Sequence, residues 1–171
     1  MKLLLLLVLI SPFEKSFANL GKEASFALEV PTSWQQMKGF YGVPFTYLGP
    51  KTSNGIRPTI QVIPTEQKTF LMDTARLKKF DDKHKKAKER WLAKSNGYLI
   101  SYTSMQKIKH PAGEMYVSEA KYKQGDRGFD SKTYFTFCNQ KLLQIKSLTS
   151  TAKDSGMREN DKIISSFRCK T

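Results

Sequence analysis

The feature that most constrains this chain is the run at residues 65–94, TEQKTFLMDTARLKKFDDKHKKAKERWLAK, which keeps one period while the sequence on either side alternates like strands. Phe70, Leu77, Phe80, His84, Ala87 and Trp91 follow seven-, three- and four-residue steps, which stacks them on one side of a helix. That side has to be buried against another layer. Thr65 is placed to cap the first amides, Glu66 suits the positive end of the dipole, and Asn96-Gly97 supplies a left-handed stop after Lys94. Arg76, Lys79, Lys83, Lys86, Arg90 and Lys94 repeat at the same steps one position round, so the spacing predicts a basic stripe beside the apolar face. Asp81 with Lys85 and Asp82 with Lys86 are spaced to pair along the helix, for a few tenths of a kcal/mol each.

Charge and compartment narrow the partners. Residues 1–18 read as a secretory signal: Lys2, an apolar core from Leu3 to Ile10, a break at Ser11-Pro12, and Ser16-Phe17-Ala18 as a small-x-small cleavage site. The core is too short for a permanent transmembrane span, and no cysteine lies beside the site to carry a lipid. The expected product is a soluble exported protein, periplasmic or secreted, in which residues 19–171 form a single domain. The formal charge of +14 falls by about one when the leader is removed. Such an excess favours an anionic envelope partner, whether lipid, lipopolysaccharide or acidic protein; nucleic acid is the less favoured partner. Cys138 and Cys169 are an even pair in an exported chain with no CxxC, which predicts a disulfide.

Around the helix the alternation predicts strands at 24–30, 43–48, 58–63, 98–107, 114–122, 133–138 and 141–148, and a closing helix at 158–169 carrying Ile163, Ile164 and Phe167. Trp34, just after a strand and turn, reads as a core plug, and residues 123–131 as a polar loop. The strands at 133–138 and 141–148 are apolar on both parities, as in a sheet covered on both faces.

Catalytic motifs are scarce. His84 and His110 are the only histidines, and no GxSxG, HExxH, Walker A or GxGxxG run occurs. Asp126 and Asp130 do not fit an EF-hand loop, and Arg127 lies between them. The reading is a protein with no catalytic residues, no metal and no cofactor. An envelope enzyme is the alternative, in which His84 and His110 would be the first residues to test.

Three runs, Leu28-Glu-Val-Pro31-Thr-Ser-Trp34, Pro58-Thr-Ile-Gln-Val-Ile63 and Lys162-Ile-Ile-Ser-Ser-Phe-Arg168, resemble the fold family of photosystem II PsbP, the Ran-binding Mog proteins and the bacterial DcrB-like exported proteins. The resemblance implies an α+β fold, an antiparallel sheet sandwiched between helices in three layers. It also implies a non-enzymatic protein that binds other proteins or assists assemblies. The expected function is therefore an exported binding or assembly-assisting protein of the envelope that contacts an anionic partner through its basic helix.

Overall fold

A computed structural model describes residues 25–65, 73–151 and 156–170. The predicted leader, its cleavage point, Glu66 and Phe70 lie outside these residues. The described chain forms β1 (Phe26–Ala27), β2 (Gln35–Phe40), β3 (Val43–Leu48), β4 (Thr59–Pro64), α1 (Thr74–Lys94), β5 (Gly97–His110), β6 (Gly113–Gln124), β7 (Arg127–Cys138), β8 (Lys141–Ser150), α2 (Met157–Ser165) and β9 (Arg168–Cys169).

Strands β2 to β8 make one seven-stranded antiparallel sheet in the order β2-β3-β4-β8-β7-β6-β5, and β1 pairs with β9 in a separate two-stranded ribbon. Tight hairpins account for most of the sheet. Asn139 and Gln140 both take positive φ between β7 and β8, the backbone a two-residue turn needs to match strand twist. The one long-range join is β4 against β8, where Ile60 faces Ser147 and Val62 faces Ile145.

Alternation along the strands separates two apolar clusters on opposite faces. One gathers Trp34, Ile60, Val62, Met115, Tyr134, Leu143 and Ile145 with Ile163, Ile164 and Phe167 from the α2 segment. The other uses the neighbouring residues Tyr116, Phe135 and Leu142, packed with Met105 against Leu77 and Phe80 of α1. Trp34 is the plug its position suggests, and Gly49 makes room for it: a Cβ there would stand 3.0 Å from the indole.

Several sequence expectations are corrected. Thr65 does not cap the helix; its N–H extends the sheet by donating to the Leu142 carbonyl at 2.8 Å, and Asp73 caps α1 by accepting from the Arg76 N–H at 2.8 Å. The closing helix stops at Ser165, because Arg168 and Cys169 leave it to pair with β1. Residues 35–40 form a strand the alternation did not reveal, their apolar side chains being few on an edge open to water. Residues 127–131 belong to β7, not to a loop, so Asp130 sits opposite Lys121 in the sheet.

Cys138 and Cys169 are bonded, tying the end of β7 to β9 with Cα atoms 5.2 Å apart. Closing a loop with a separation of 31 residues stabilises the fold by about 3 to 4 kcal/mol in the chain-entropy account.

Candidate functional site

Helix α1 is fixed to the sheet through a buried carboxylate. The register of β5 on β6 shifts between Thr103 and Gln106, and Met105 has no partner in that ladder. Its N–H instead donates to Asp81 Oδ1 at 3.1 Å, and the Tyr102 hydroxyl donates to the same oxygen at 2.6 Å. Because the phenolic proton is committed to Asp81, the 3.2 Å contact between His84 Nδ1 and Tyr102 Oη has the imidazole donating. Asp81 is therefore no partner for Lys85, whose ammonium lies over the Tyr102 ring at 5.8 Å, and Asp82 and Lys86 form no ion pair either. The Asp81 pair gives way because a buried carboxylate with two donors has stronger partners than a solvated lysine offers; Asp82 and Lys86 are both exposed, where water competes for a pair worth little.

The face of α1 that meets the sheet changes character along its length. At its N-terminal half, Leu77 and Phe80 cover Phe135 and Leu142. Further along, the same strands turn polar side chains upward: Thr59 and Gln61 on β4, Ser131 and Thr133 on β7, Gln144 and Lys146 on β8. Helix and sheet here enclose a cleft of about 420 Å³, walled on the helix side by His84, Ala87, Lys88 and Trp91 and on β6 by Tyr122. That size lies in the range of small-molecule sites and far exceeds one ion. Leu92, fully buried, closes the far end of the helix face. Gly97 follows as the chain crosses β6, where a Cβ would come within 2.5 Å of the Lys123 carbonyl.

Two lysines dominate the cleft. Lys88 Nζ donates to Ser131 Oγ at 2.9 Å and stands 5.2 Å from the centre of the Tyr122 ring. Lys146 is exposed, its ammonium has neither a hydrogen bond nor an ion pair among the described residues, and no carboxylate lines the cleft. Burial, reinforced by the charge of Lys146, pulls the Lys88 ammonium down to about 8. Partial desolvation beside the cleft lowers Lys146 as well. Burial also lowers His84, to about 4, with both lysines adding to the effect and Asp81 opposing it, so the imidazole is neutral at physiological pH. Burial alone lifts the Tyr122 hydroxyl to about 12.

The predicted stripe residues Arg76, Lys79, Lys83, Lys86, Arg90 and Lys94 all lie on the exposed side of α1, away from the cleft. Arg76 pairs with Asp73 at 3.3 Å; the other five have no acidic partner among the described residues. The buried line itself is turned from the predicted one. It runs through Leu77, Asp81, His84, Lys88 and Leu92, while Ala87 is exposed and Trp91 stands 49% exposed at the rim. Apolar spacing locates the helix but skips Asp81 and Lys88, which face inward with His84. A signal for Lys146 did exist: in Leu142-Leu-Gln-Ile-Lys146 it shares a parity with Gln144, on the face opposite Leu143 and Ile145.

His84 and His110 are not brought together. His110 sits on the other face, its Nε2 3.0 Å from the Ile164 carbonyl and its ring beside Phe167. Among the described residues no three His, Cys, Asp or Glu side chains cluster as metal ligands, and no helix is long and apolar enough to cross a membrane.

The fold is PsbP-like. The chain superposes on the solution structure of cyanobacterial PsbP (CyanoP) from Synechocystis sp. PCC 6803 with a TM-score of 0.53 and 18% identity, over 85% of this chain and 87% of that one. It superposes on the crystal structure of LpqN, involved in cell envelope biogenesis of Mycobacterium tuberculosis, with a TM-score of 0.51 and 16% identity, over 85% and 83%. No family model matches the sequence, and no curated protein does.

Proposed function

We propose that the protein is an exported, non-catalytic binding protein of the cell envelope that meets an anionic lipid or lipopolysaccharide surface through the outer side of α1. The same reading takes its helices and sheet as the three-layer α/β/α arrangement of the PsbP and Mog fold. The observation that carries the proposal is the set Lys79, Lys83, Lys86, Arg90 and Lys94, exposed in one line and unpaired among the described residues. Helix α1 holds nine Lys and Arg against three Asp and Glu, so like charges repel along it, and an anionic surface relieves that repulsion. The involvement of LpqN, a protein of similar fold, in cell envelope biogenesis supports the compartment.

Replacing Lys79, Lys83 and Lys86 together with glutamine tests the reading. The melting temperature should hardly move, while retention on anionic vesicles or lipopolysaccharide weakens. Wild-type retention should vanish near half-molar salt, where the screening length is about 4 Å. Undiminished retention of the triple variant on both surfaces would sink the proposal, and capture by an acidic protein alone would replace it. Turnover of an envelope substrate by the purified protein would favour an enzyme instead.

A further inference from the structure

The cleft under α1 presents a different chemistry from the stripe above it. Lys88 is half-buried, Lys146 is exposed, and nothing acidic among the described residues lines the cleft around them. Buried ammonium groups are normally matched by a carboxylate or moved to the surface, since each costs several kcal/mol to desolvate without a partner. Here Lys88 is kept half-buried without a carboxylate, and Lys146 is close enough to depress it further through its charge. Around them stand neutral polar groups rather than acids: the Thr133 hydroxyl, the Gln144 amide, and the Ser131 hydroxyl, which accepts from Lys88 and donates to the Ala120 carbonyl. Lysines joined by hydroxyl and amide donors are a lining suited to a phosphate or carboxylate.

The remaining walls carry a second requirement. Tyr122 stands across the Trp91 indole edge to face, with ring centroids 5.9 Å apart, and Trp91 is half exposed at the mouth. A bare inorganic anion would leave these rings and most of the volume unused. We infer that the cleft binds an organic phosphate, its anionic oxygens between Lys88 and Lys146 and its uncharged part against Trp91 and Tyr122. The ligand is either a soluble phosphate monoester or the headgroup of an anionic phospholipid, which offer the same chemistry. The site is independent of the outer stripe, with which it shares no residue.

Protonation gives the site a signature. In the empty protein Lys88 loses its proton at about 8, so affinity should fall as pH rises through that value, well below the range in which an ordinary lysine discharges. Of the other groups facing the cleft, His84 is neutral above about 4 and Tyr122 stays neutral to about 12, which leaves Lys146 as the only other group able to contribute to the slope.

The test uses the purified protein and phenyl phosphate, read by tryptophan fluorescence; Trp34 is buried on the opposite face, and a Trp91→Phe control assigns the signal. We expect a saturable change that weakens above pH 8, and at least about tenfold weaker binding in Lys88→Met and in Lys146→Met. Both variants should melt close to wild type: Lys88→Met removes a half-buried ammonium that has no carboxylate partner, and Lys146 is an exposed side chain. The Lys79, Lys83, Lys86 glutamine triple should bind phenyl phosphate as wild type does, which separates failure here from failure of the surface reading. Displacement of phenyl phosphate by vesicles of phosphatidylglycerol, but not of phosphatidylcholine, assigns the headgroup as ligand; no displacement by either assigns the soluble ester. Absence of any saturable change at millimolar phenyl phosphate, or unweakened binding in both methionine variants, overturns the proposal, as does equal binding of inorganic phosphate and phenyl phosphate.

Discussion

The two faces of the sheet are built from alternate residues of the same strands, yet they are finished differently. On the α2 side, Ile60, Val62, Leu143 and Ile145 meet Ile163, Ile164 and Phe167, and the Cys138–Cys169 bond holds the rim. On the α1 side the neighbouring positions are Thr59, Gln61, Gln144 and Lys146, and the helix stands over a cleft. The difference teaches where stability and binding reside. A face filled with buried apolar side chains holds the fold, and a face lined with polar groups gives up that packing to keep a space open.

The sharpest way to break the comparison is to remove matching bulk from each side. Phe167→Ala empties a fully buried site stacked on Phe26 and should cost about 3 to 5 kcal/mol in guanidinium unfolding. Trp91→Ala, at the cleft mouth, should cost much less despite the larger side chain. Equal losses would mean that the α1 face is as well packed as the other. A smaller effect is expected at Asp81, where alanine leaves the Met105 N–H and Tyr102 hydroxyl without their acceptor and should cost about 1 to 3 kcal/mol. Asparagine, which keeps one acceptor oxygen, should recover part of it, and no recovery would argue that the carboxylate charge matters more than its geometry.

The smallest effect belongs to His84. Its folded value of about 4 lies below the ordinary 6.5, so between these limits the unfolded chain binds more protons. Its contribution is complete above 6.5 and disappears as pH falls towards 4. It should amount to about 1 kcal/mol or less, because water reaches the ring through the cleft. Urea midpoints across that range should slope less in His84→Gln than in wild type, and equal slopes would remove His84 from the account.

These contrasts explain what the sequence made legible. Apolar alternation revealed β3, β4 and the β5 to β8 meander, because burying one parity leaves a period of two. The α2 face was readable through Ile163, Ile164 and Phe167, and the disulfide through an even pair of cysteines with no CxxC. The cleft was not, since Lys88 and Lys146 look like any solvated lysine until a helix is laid over them. The bulge that turns Met105 towards Asp81 depends on the pairing of two strands and leaves no mark in either one alone.

One join in the sheet has a consequence for how the chain acquires its cleft. Strands β2 to β4 and β5 to β8 each assemble through neighbouring hairpins, but β4 meets β8 only through a ladder that runs from Thr59–Leu148 to Pro64–Leu143, between residues far apart in the chain. Local contacts form early in folding and distant ones wait on closing a long loop. Thr59 and Gln61 stand on one bank of that seam, Gln144 and Lys146 on the other, and α1 is carried in the connection that bridges them. The walls of the cleft are therefore completed together, by the slowest event in the assembly of the sheet. A nascent chain still in two halves has its hairpins and its basic helix, but no enclosed place for a ligand.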